Sequence, residues 1–293
     1  MSGTSQLKVA ILGSGNIGTD LLIKAIHSPY LKCTQFIGRK LNSHGMLKAK
    51  ELGIPTSDQG INAILNDPNC CDLVFDATSA SDHILHSELL KKLGKMVVDM
   101  TPSRVGEMMV PAIDADKRIE ARNINMVSCG GQASIPIAYI IGKAHRDIEY
   151  IEVVSRIASK SAGPATRINM DEYIETTEAG IQKYSGCKNA KSILILNPAE
   201  PCVDMQTTIS AKLAEPDMDA INSYLDEMLK KIQQYVPGYK LIVPPVYDSN
   251  RVVIMVRVKG RGDYLPPYAG NLDIINCAAI AAAEQYAKQY LAL

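Results

Sequence analysis

The sequence predicts a two-domain α/β chain, with a doubly wound parallel sheet first and an α+β domain with a substantially antiparallel sheet second. Short apolar runs alternate with helical spacings from Lys8 to Val127. That rhythm marks a parallel sheet covered by helices on both faces. Beyond Gly131 the rhythm breaks, and longer helices lie between alternating strands. The length, 293 residues, suits two domains of about 100–200 residues each.

In the first half, Lys8–Leu12 is an apolar strand ending at Gly13. Ile17–Ile26 is helical, with Ile17, Leu21, Leu22, Ala25 and Ile26 on one face. Gln35–Ile37 is the second strand, and Ser43–Leu52 and Asp58–Leu65 are helical. Leu73–Asp76 and Met96–Asp99 are strands flanking a helix over Ser81–Lys92. Ile124–Val127 extends the series and delivers the chain to Ser128-Cys129-Gly130-Gly131. In the second half Ser134–Ala144, Asn169–Tyr184 and Met218–Val236 are helices. Glu149–Ser155, Ser192–Leu196, Lys240–Val243 and Val252–Lys259 are strands, and Leu272–Leu293 is an Ala-rich amphipathic helix.

Composition excludes several classes. Apolar residues make up 46%, as in an ordinary globular protein. Acidic and basic residues number 31 each, so a general electrostatic footprint for nucleic acid is absent. No apolar stretch approaches the about 18 residues that span a bilayer. The opening Met1-Ser2-Gly3-Thr4-Ser5-Gln6 has no apolar signal region, and the expectation is a cytoplasmic enzyme. There are seven cysteines: Cys33, Cys70, Cys71, Cys129, Cys187, Cys202 and Cys277. The number is odd and no CxxC pair occurs, so neither a zinc ribbon nor a disulfide framework is indicated. His83 and His86 lie three apart on a helix without an evident third ligand. They read as surface or packing residues, and no metal is expected.

Gly13-Ser14-Gly15-Asn16-Ile17-Gly18 matches GxGxxG between a strand and an amphipathic helix, the context the motif requires. Gly13 permits the tight turn, Gly15 admits a pyrophosphate close to backbone, and Gly18 lets helix pack on strand. The helix N-terminus presents unpaired N–H groups to phosphate. An acidic residue for the ribose hydroxyls is expected at the end of the second strand. The segment there is Phe36-Ile37-Gly38-Arg39-Lys40-Leu41-Asn42-Ser43, without Asp or Glu. Arg39 and Lys40 are either solvated loop residues or partners of a 2′-phosphate, so NAD and NADP both stand as cofactors.

Cys129 follows an extended segment and precedes two glycines and a helix. A cysteine at a helix N-terminus gains thiolate stabilisation from unpaired N–H groups and the helix dipole. The glycines let substrate and backbone donors approach, and such donors could bind the oxyanion formed on attack at a carbonyl. The alternative is a buried structural cysteine.

The chain resembles the acylating, CoA-dependent acetaldehyde dehydrogenases of aromatic meta-cleavage pathways. The resemblance is carried by KVAILGSGNIGTDL (Lys8–Leu21), VFDATSAS (Val74–Ser81), NMVSCGGQASIP (Asn125–Pro136), SKSAGPATR (Ser159–Arg167), LNPAEP (Leu196–Pro201), YVPGYKL (Tyr235–Leu241) and YLPPYAGNLDI (Tyr264–Ile274). It implies a Rossmann dinucleotide-binding domain over 1–130 and an α+β catalytic and oligomerisation domain over 131–270. The second is of the glyceraldehyde-3-phosphate and semialdehyde dehydrogenase type. It implies that the helix over 271–293 packs back on the first domain. It implies an acyl-thioester on Cys129, coenzyme A as acyl acceptor, and cofactor contacts from Ser161, Ala162, Gly163, Pro164, Asn169 and Asn271. It also implies assembly as a homodimer or hetero-oligomer and partnership with a 4-hydroxy-2-oxovalerate aldolase.

This sequence departs from the family pattern in three places. The family carries an Asp, proposed as general base, after the NPAEP motif; Thr207 occupies that position here, with Asp204 three residues earlier. The stretch between Leu241 and Val252 is shorter, and the acidic residue after the second strand is replaced by a basic one. No histidine replaces the base: His27, His44, His83 and His86 lie in the cofactor half, and His145 follows the Cys129 helix. A pre-formed thiolate or water would then have to suffice. Two other functions share parts of the pattern: a phosphorylating semialdehyde dehydrogenase, and a non-catalytic dinucleotide-sensing subunit of an aldolase complex.

Overall fold

The computed structural model describes residues 6–291. Residues 1–5 and 292–293 lie outside the described residues. The chain forms two compact units, one of residues 6–109, Asp114–Met126 and 276–291, the other of Val110–Ile113 and Val127–Ile275. Among the described residues no helix is long and apolar enough to cross a membrane.

The first unit runs β1 (Leu7–Leu12), α1 (Asn16–His27), β2 (Leu31–Ile37), α2 (His44–Glu51), β3 (Thr56–Ser57), α3 (Asn62–Asn66), β4 (Leu73–Asp76), α4 (Ala80–Lys92), β5 (Met96–Asp99) and β6 (Glu107–Met108). A short α5 (Pro111–Asp114) precedes β7 (Asn123–Asn125). The sheet order is β3-β2-β1-β4-β5-β7-β6, and each of these pairings is parallel. β4 and β5 are buried at every residue, which explains their unbroken apolar runs before each closing Asp. The order reverses between β1 and β4, and open sheets of this kind bind ligands at the carboxyl ends of strands beside that switch point.

The second unit holds α6 (Cys129–Ala144), β8 (Tyr150–Ala158), α7 (Pro164–Ile168), α8 (Met170–Ser185), β9 (Ala190–Asn197), β10 (Met205–Lys212), α9 (Met218–Gln233), β11 (Tyr239–Asp248) and β12 (Arg251–Val258). The last helix, α10 (Gly270–Tyr290), divides between the units after Ile275. From Asn276 on it is tied to the first unit by Asn276 Nδ2 to Asp20 (2.8 Å), Ser28 Oγ to Glu284 (2.6 Å) and Arg122 to Tyr286 Oη (3.0 Å).

The second sheet has the order β11-β12-β10-β8-β9 and is antiparallel except between β8 and β9. Its period-2 pattern buries one face: Ile151, Val153, Ser155 and Ile157 on β8, and Met205, Thr207, Ile209 and Ala211 on β10. The other face carries the half-buried Val154 and the exposed Ile193 and Ile195.

Several elements differ from the sequence expectation. β10 is a full central strand where none is expected, because inward Thr207 interrupts its apolar alternation. The helix expected over Ser134–Ala144 begins at Cys129 itself, so both glycines lie in its first turn. The strand expected over Ile124–Val127 ends at Asn125, since Val127 is left-handed at φ 64°. The helix expected over Asp58–Leu65 is reduced to α3, because Gly60 makes a turn at φ 56°.

Candidate active site

The first unit places the Gly13–Gly18 turn at the end of β1, as a candidate phosphate cradle. Gly13 has φ 117°, and a Cβ there would stand 2.4 Å from the Ala77 carbonyl oxygen. A Cβ on Gly18 would stand 1.8 Å from the Gly13 carbonyl oxygen, so α1 can approach the turn only with glycine there. Gly15 is different: a Cβ on it meets nothing within 4 Å. It caps α1 without a side-chain hydrogen bond, and the first turn, with Asn16 and Ile17, carries no acidic residue. Open space, an uncapped N-terminus and no competing carboxylate suit a dinucleotide pyrophosphate.

The turn after β2 packs on this cradle. A Cβ on Gly38 would lie 2.4 Å from Ser14 Oγ, and Ser14 Oγ is 3.4 Å from Ser43 Oγ. Gly38 thus sits against the glycine-rich turn, and Arg39, exposed, is the next residue along the chain.

One side-chain cluster beside this turn was not legible in the sequence. Asp76 and Asp99 end β4 and β5, and both are fully buried. His83, fully buried on α4, places Nδ1 2.8 Å from Asp76 and Nε2 3.4 Å from Asp99. His86 Nδ1 reaches the same Asp76 oxygen at 2.9 Å. His83 is thus a buried packing residue set between two carboxylates, and His86 a half-buried one bonded to Asp76. Burial alone would raise the Asp76 carboxyl, but hydrogen bonds from His83 and His86 outweigh it and hold the group down at about 2. Burial likewise opposes charge on His83, and the hydrogen bond to Asp76 with the charge of Asp99 raises it instead. Asp99 is raised by burial despite its partners. Among the described residues no three side chains group as a metal site would.

In the second unit, Val127 takes φ 64°, a strained setting for a β-branched residue that turns the chain sharply into α6. Ser128 caps the helix by accepting from Gly131 N–H at 2.8 Å. Cys129 is thus the first helical residue. The cap takes the Gly131 N–H, which is therefore not a free oxyanion donor as the glycines suggested. Ser128 Oγ also bonds Thr177 Oγ1 at 2.6 Å, fixing α8 against this helix start.

One turn before Thr177, Tyr173 brings its Oη 3.8 Å from Cys129 Sγ. Ser155 Oγ and Thr207 Oγ1 pair at 3.1 Å behind it. Burial pushes the Cys129 thiol up to about 11, opposed by hydrogen bonding to Tyr173, the Gly130 N–H and its own N–H. Burial thus opposes the thiolate-favouring effect of the helix start. His145 caps the far end of the 16-residue α6, about 24 Å away at 1.5 Å per residue.

The remaining cofactor candidates also lie in this unit. Ser161 is buried, with Oγ bonding the Ala158 carbonyl at 2.8 Å. Arg167 Nε holds the Ala162 carbonyl at 3.0 Å, and a Cβ on Gly163 would meet nothing within 4 Å, just before Pro164 opens α7. Asn169 is buried and sits at the N-cap of α8. Asn271 is buried on α10, and its Oδ1 has no hydrogen-bond partner among the described residues. A buried amide oxygen without a partner suits a ligand donor.

Comparison with known proteins bears on this arrangement. The family described as prokaryotic acetaldehyde dehydrogenase, dimerisation, matches residues 129–266. An acetaldehyde dehydrogenase of Spirochaeta aurantia is 57% identical over 96% of this chain and 95% of its own. One from Geobacillus stearothermophilus is 48% identical over 98% of each. Among solved structures, aspartate semialdehyde dehydrogenase with NADP from Candida albicans aligns with TM-score 0.62 at 13% identity, covering 96% of this chain and all of that one. Aspartate semialdehyde dehydrogenase II from Vibrio cholerae aligns at 0.64 and 13%, covering 98% of this chain and 100% of that one. These likenesses bear on the fold, whereas the sequence relatives extend across both units. By that extent of identity the chain belongs to the acetaldehyde dehydrogenase family.

Proposed function

We propose that the chain oxidises acetaldehyde or another short aldehyde to an acyl-CoA through an acyl-thioester on Cys129. The observation carrying this is the placement of Cys129 as first residue of α6, after a strained Val127 and against Tyr173. Strained backbone that the surroundings over-determine clusters at reacting groups.

A nicotinamide dinucleotide, when bound, accepts the hydride that the aldehyde carbon loses. The Gly13–Gly18 turn would hold its pyrophosphate, with Ser161–Pro164, Asn169 and Asn271 as further contacts. The Cys129 sulfur gives up its proton and attacks the carbonyl carbon. The resulting hemithioacetal loses hydride and becomes a thioester. The coenzyme A thiol then adds to that carbonyl, and the Cys129 sulfur leaves. Aldehyde, oxidised cofactor and CoA yield acyl-CoA, reduced cofactor and one proton.

Arg39, exposed beside the cradle with no carboxylate nearby in the β2 turn, supports use of NADP at least as well as NAD. The open face of the second sheet, with Val154, Ile193 and Ile195, supports a homodimer formed through this unit. Association with a 4-hydroxy-2-oxovalerate aldolase follows from the resemblance, and co-elution of the co-expressed pair would support it.

The test is reduced-cofactor absorbance with acetaldehyde and either CoA or phosphate, in the wild type and Cys129→Ala. Turnover is expected with CoA alone and is expected to vanish in the variant. Turnover that persists in Cys129→Ala, or that needs phosphate in place of CoA, refutes the reading.

A further inference from the structure

We propose that Tyr173, Ser155 and Thr207 form a reversible chain of hydroxyls that stabilises the charged Cys129 sulfur, which makes Tyr173 a further catalytic residue. This rests on the reading of Cys129 as the nucleophile.

The groups involved are all buried. Tyr173 Oη lies 3.8 Å from Cys129 Sγ. Ser155 and Thr207 are register partners across β8 and β10, both on the inward face, with their oxygens 3.1 Å apart. Gly130 joins the two pairs: a Cβ there would stand 2.1 Å from Tyr173 Oη and 2.9 Å from Ser155 Oγ. Both hydroxyls therefore crowd the side of Gly130 where a side chain would stand, next to the nucleophile. The Ser128–Thr177 bond and the Thr177 hydroxyl's 2.6 Å bond to the Tyr173 carbonyl lock α8 in this register.

Each of these hydroxyls can turn about its C–O bond. With the thiol neutral, the S–H donates to Tyr173 Oη, and the phenol O–H points on to Ser155. With the sulfur charged the direction reverses: Thr207 donates to Ser155, Ser155 to Tyr173, and Tyr173 to sulfur. No proton is passed along the chain. The thiol proton leaves to water, and each hydroxyl keeps its own hydrogen. Hydrogen bonds to a charged acceptor are stronger than neutral ones, and successive donors polarise one another. Burial, with the Cys129 sulfur beside it, holds the Tyr173 phenol well above its ordinary range, so it remains a donor at working pH. A merely structural cluster would satisfy the same buried oxygens, yet would leave the sulfur's acidity unchanged.

The experiment measures alkylation of Cys129 by iodoacetamide in the intact chain from pH 7 to 10, following the Cys129 peptide by mass spectrometry. Tyr173→Phe keeps the ring and is expected to slow alkylation about tenfold at each pH, equal to raising the thiol by about one pKa unit. Thr207→Val, nearly the same shape, is expected to slow it two- to threefold in the same direction, by roughly the polarisation lost from one link. A Tyr173→Phe profile that superimposes on the wild type overturns the proposal. If Tyr173→Phe does not fold, an unchanged rate in folded Thr207→Val overturns it equally. Absence of Cys129 alkylation in the wild type across the range overturns its premise. Turnover retained in Cys129→Ala removes the nucleophile reading alone, because the alkylation comparison does not depend on acyl transfer.

Discussion

Replacing His83 with Leu removes the central member of a buried charge network and leaves two carboxylates behind. Breaking a buried pair by removing one partner costs about 3–5 kcal/mol. The lower figure applies here, because Asp76 keeps His86 at 2.9 Å and Thr78 Oγ1 at 2.5 Å. Asp99 keeps Thr101 Oγ1 at 2.7 Å, Ser103 at 2.6 Å and Asn125 at 2.7 Å. At about 2–4 °C per kcal/mol the first unit should melt about 6–12 °C lower. The pH dependence follows from the two shifts. Asp76, held at about 2 in the fold, stabilises above its unfolded value of about 3.9 and loses that stability as pH falls toward 2. His83, raised in the fold, stabilises fully below its unfolded value of about 6.5 and loses that stability as pH rises through its folded value. The gap between wild type and His83→Leu is therefore widest between about pH 4 and 6.5 and narrows on the alkaline side. Calorimetric melting at pH 6, 7.5 and 9 reads this directly. A loss under 2 °C at pH 6, or a gap that widens with pH, refutes the reasoning.

Three further outcomes are expected. Gly18→Ala drives a Cβ to within 1.8 Å of the Gly13 carbonyl oxygen, so reduced-cofactor binding by fluorescence should weaken at least about tenfold while Cys129 alkylation is unchanged; normal binding would mean the turn is not the cradle. Arg39→Asp should raise the KM for NADP about tenfold more than that for NAD, and wild-type kinetics favouring NAD by about tenfold would reduce Arg39 to a solvated side chain. Because burial lifts the Cys129 thiol to about 11, alkylation of the ligand-free protein should climb close to tenfold per pH unit from 7 to 10, and a plateau below pH 8 would contradict that burial effect.

The parallel half was readable because its signals are local. β1, β4 and β5 are short apolar runs, and each helix between them shows its own face. Gly13, Gly15 and Gly18 belong to one turn, so a six-residue window holds the whole cradle. Their separate duties, contact at Gly13 and Gly18 and open space at Gly15, match the expected geometry. The second half was harder. β10 is not legible locally because Met205, Thr207, Ile209 and Ala211 face inward, and a buried threonine breaks the apolar count. α6 begins five residues before the expected helix, since Gly130 and Gly131 depress helix propensity. The Ser128 cap and the α8 packing behind it override that propensity.

The surroundings of Cys129 were not legible for a different reason. Residues 129, 155, 173 and 207 meet only through sheet register and helix packing, and no window of sequence contains two of them. The burial that opposes a thiolate at Cys129 is not local either: a helix start is a local feature, whereas burial is a property of everything packed around it. One usable signal did exist. Ser155 and Thr207 each occupy an inward position in a strand whose other inward residues are apolar. A hydroxyl there is costly unless it finds a partner, and one strand alone cannot supply one. Two such interruptions, once their strands are neighbours, are mutually explained by facing each other. Tyr173 then follows, because a phenol buried against the same point must bond to what is already polar there. Reading inward polar residues as unpaired obligations, rather than as noise in the apolar pattern, would have led from β10 to the nucleophile.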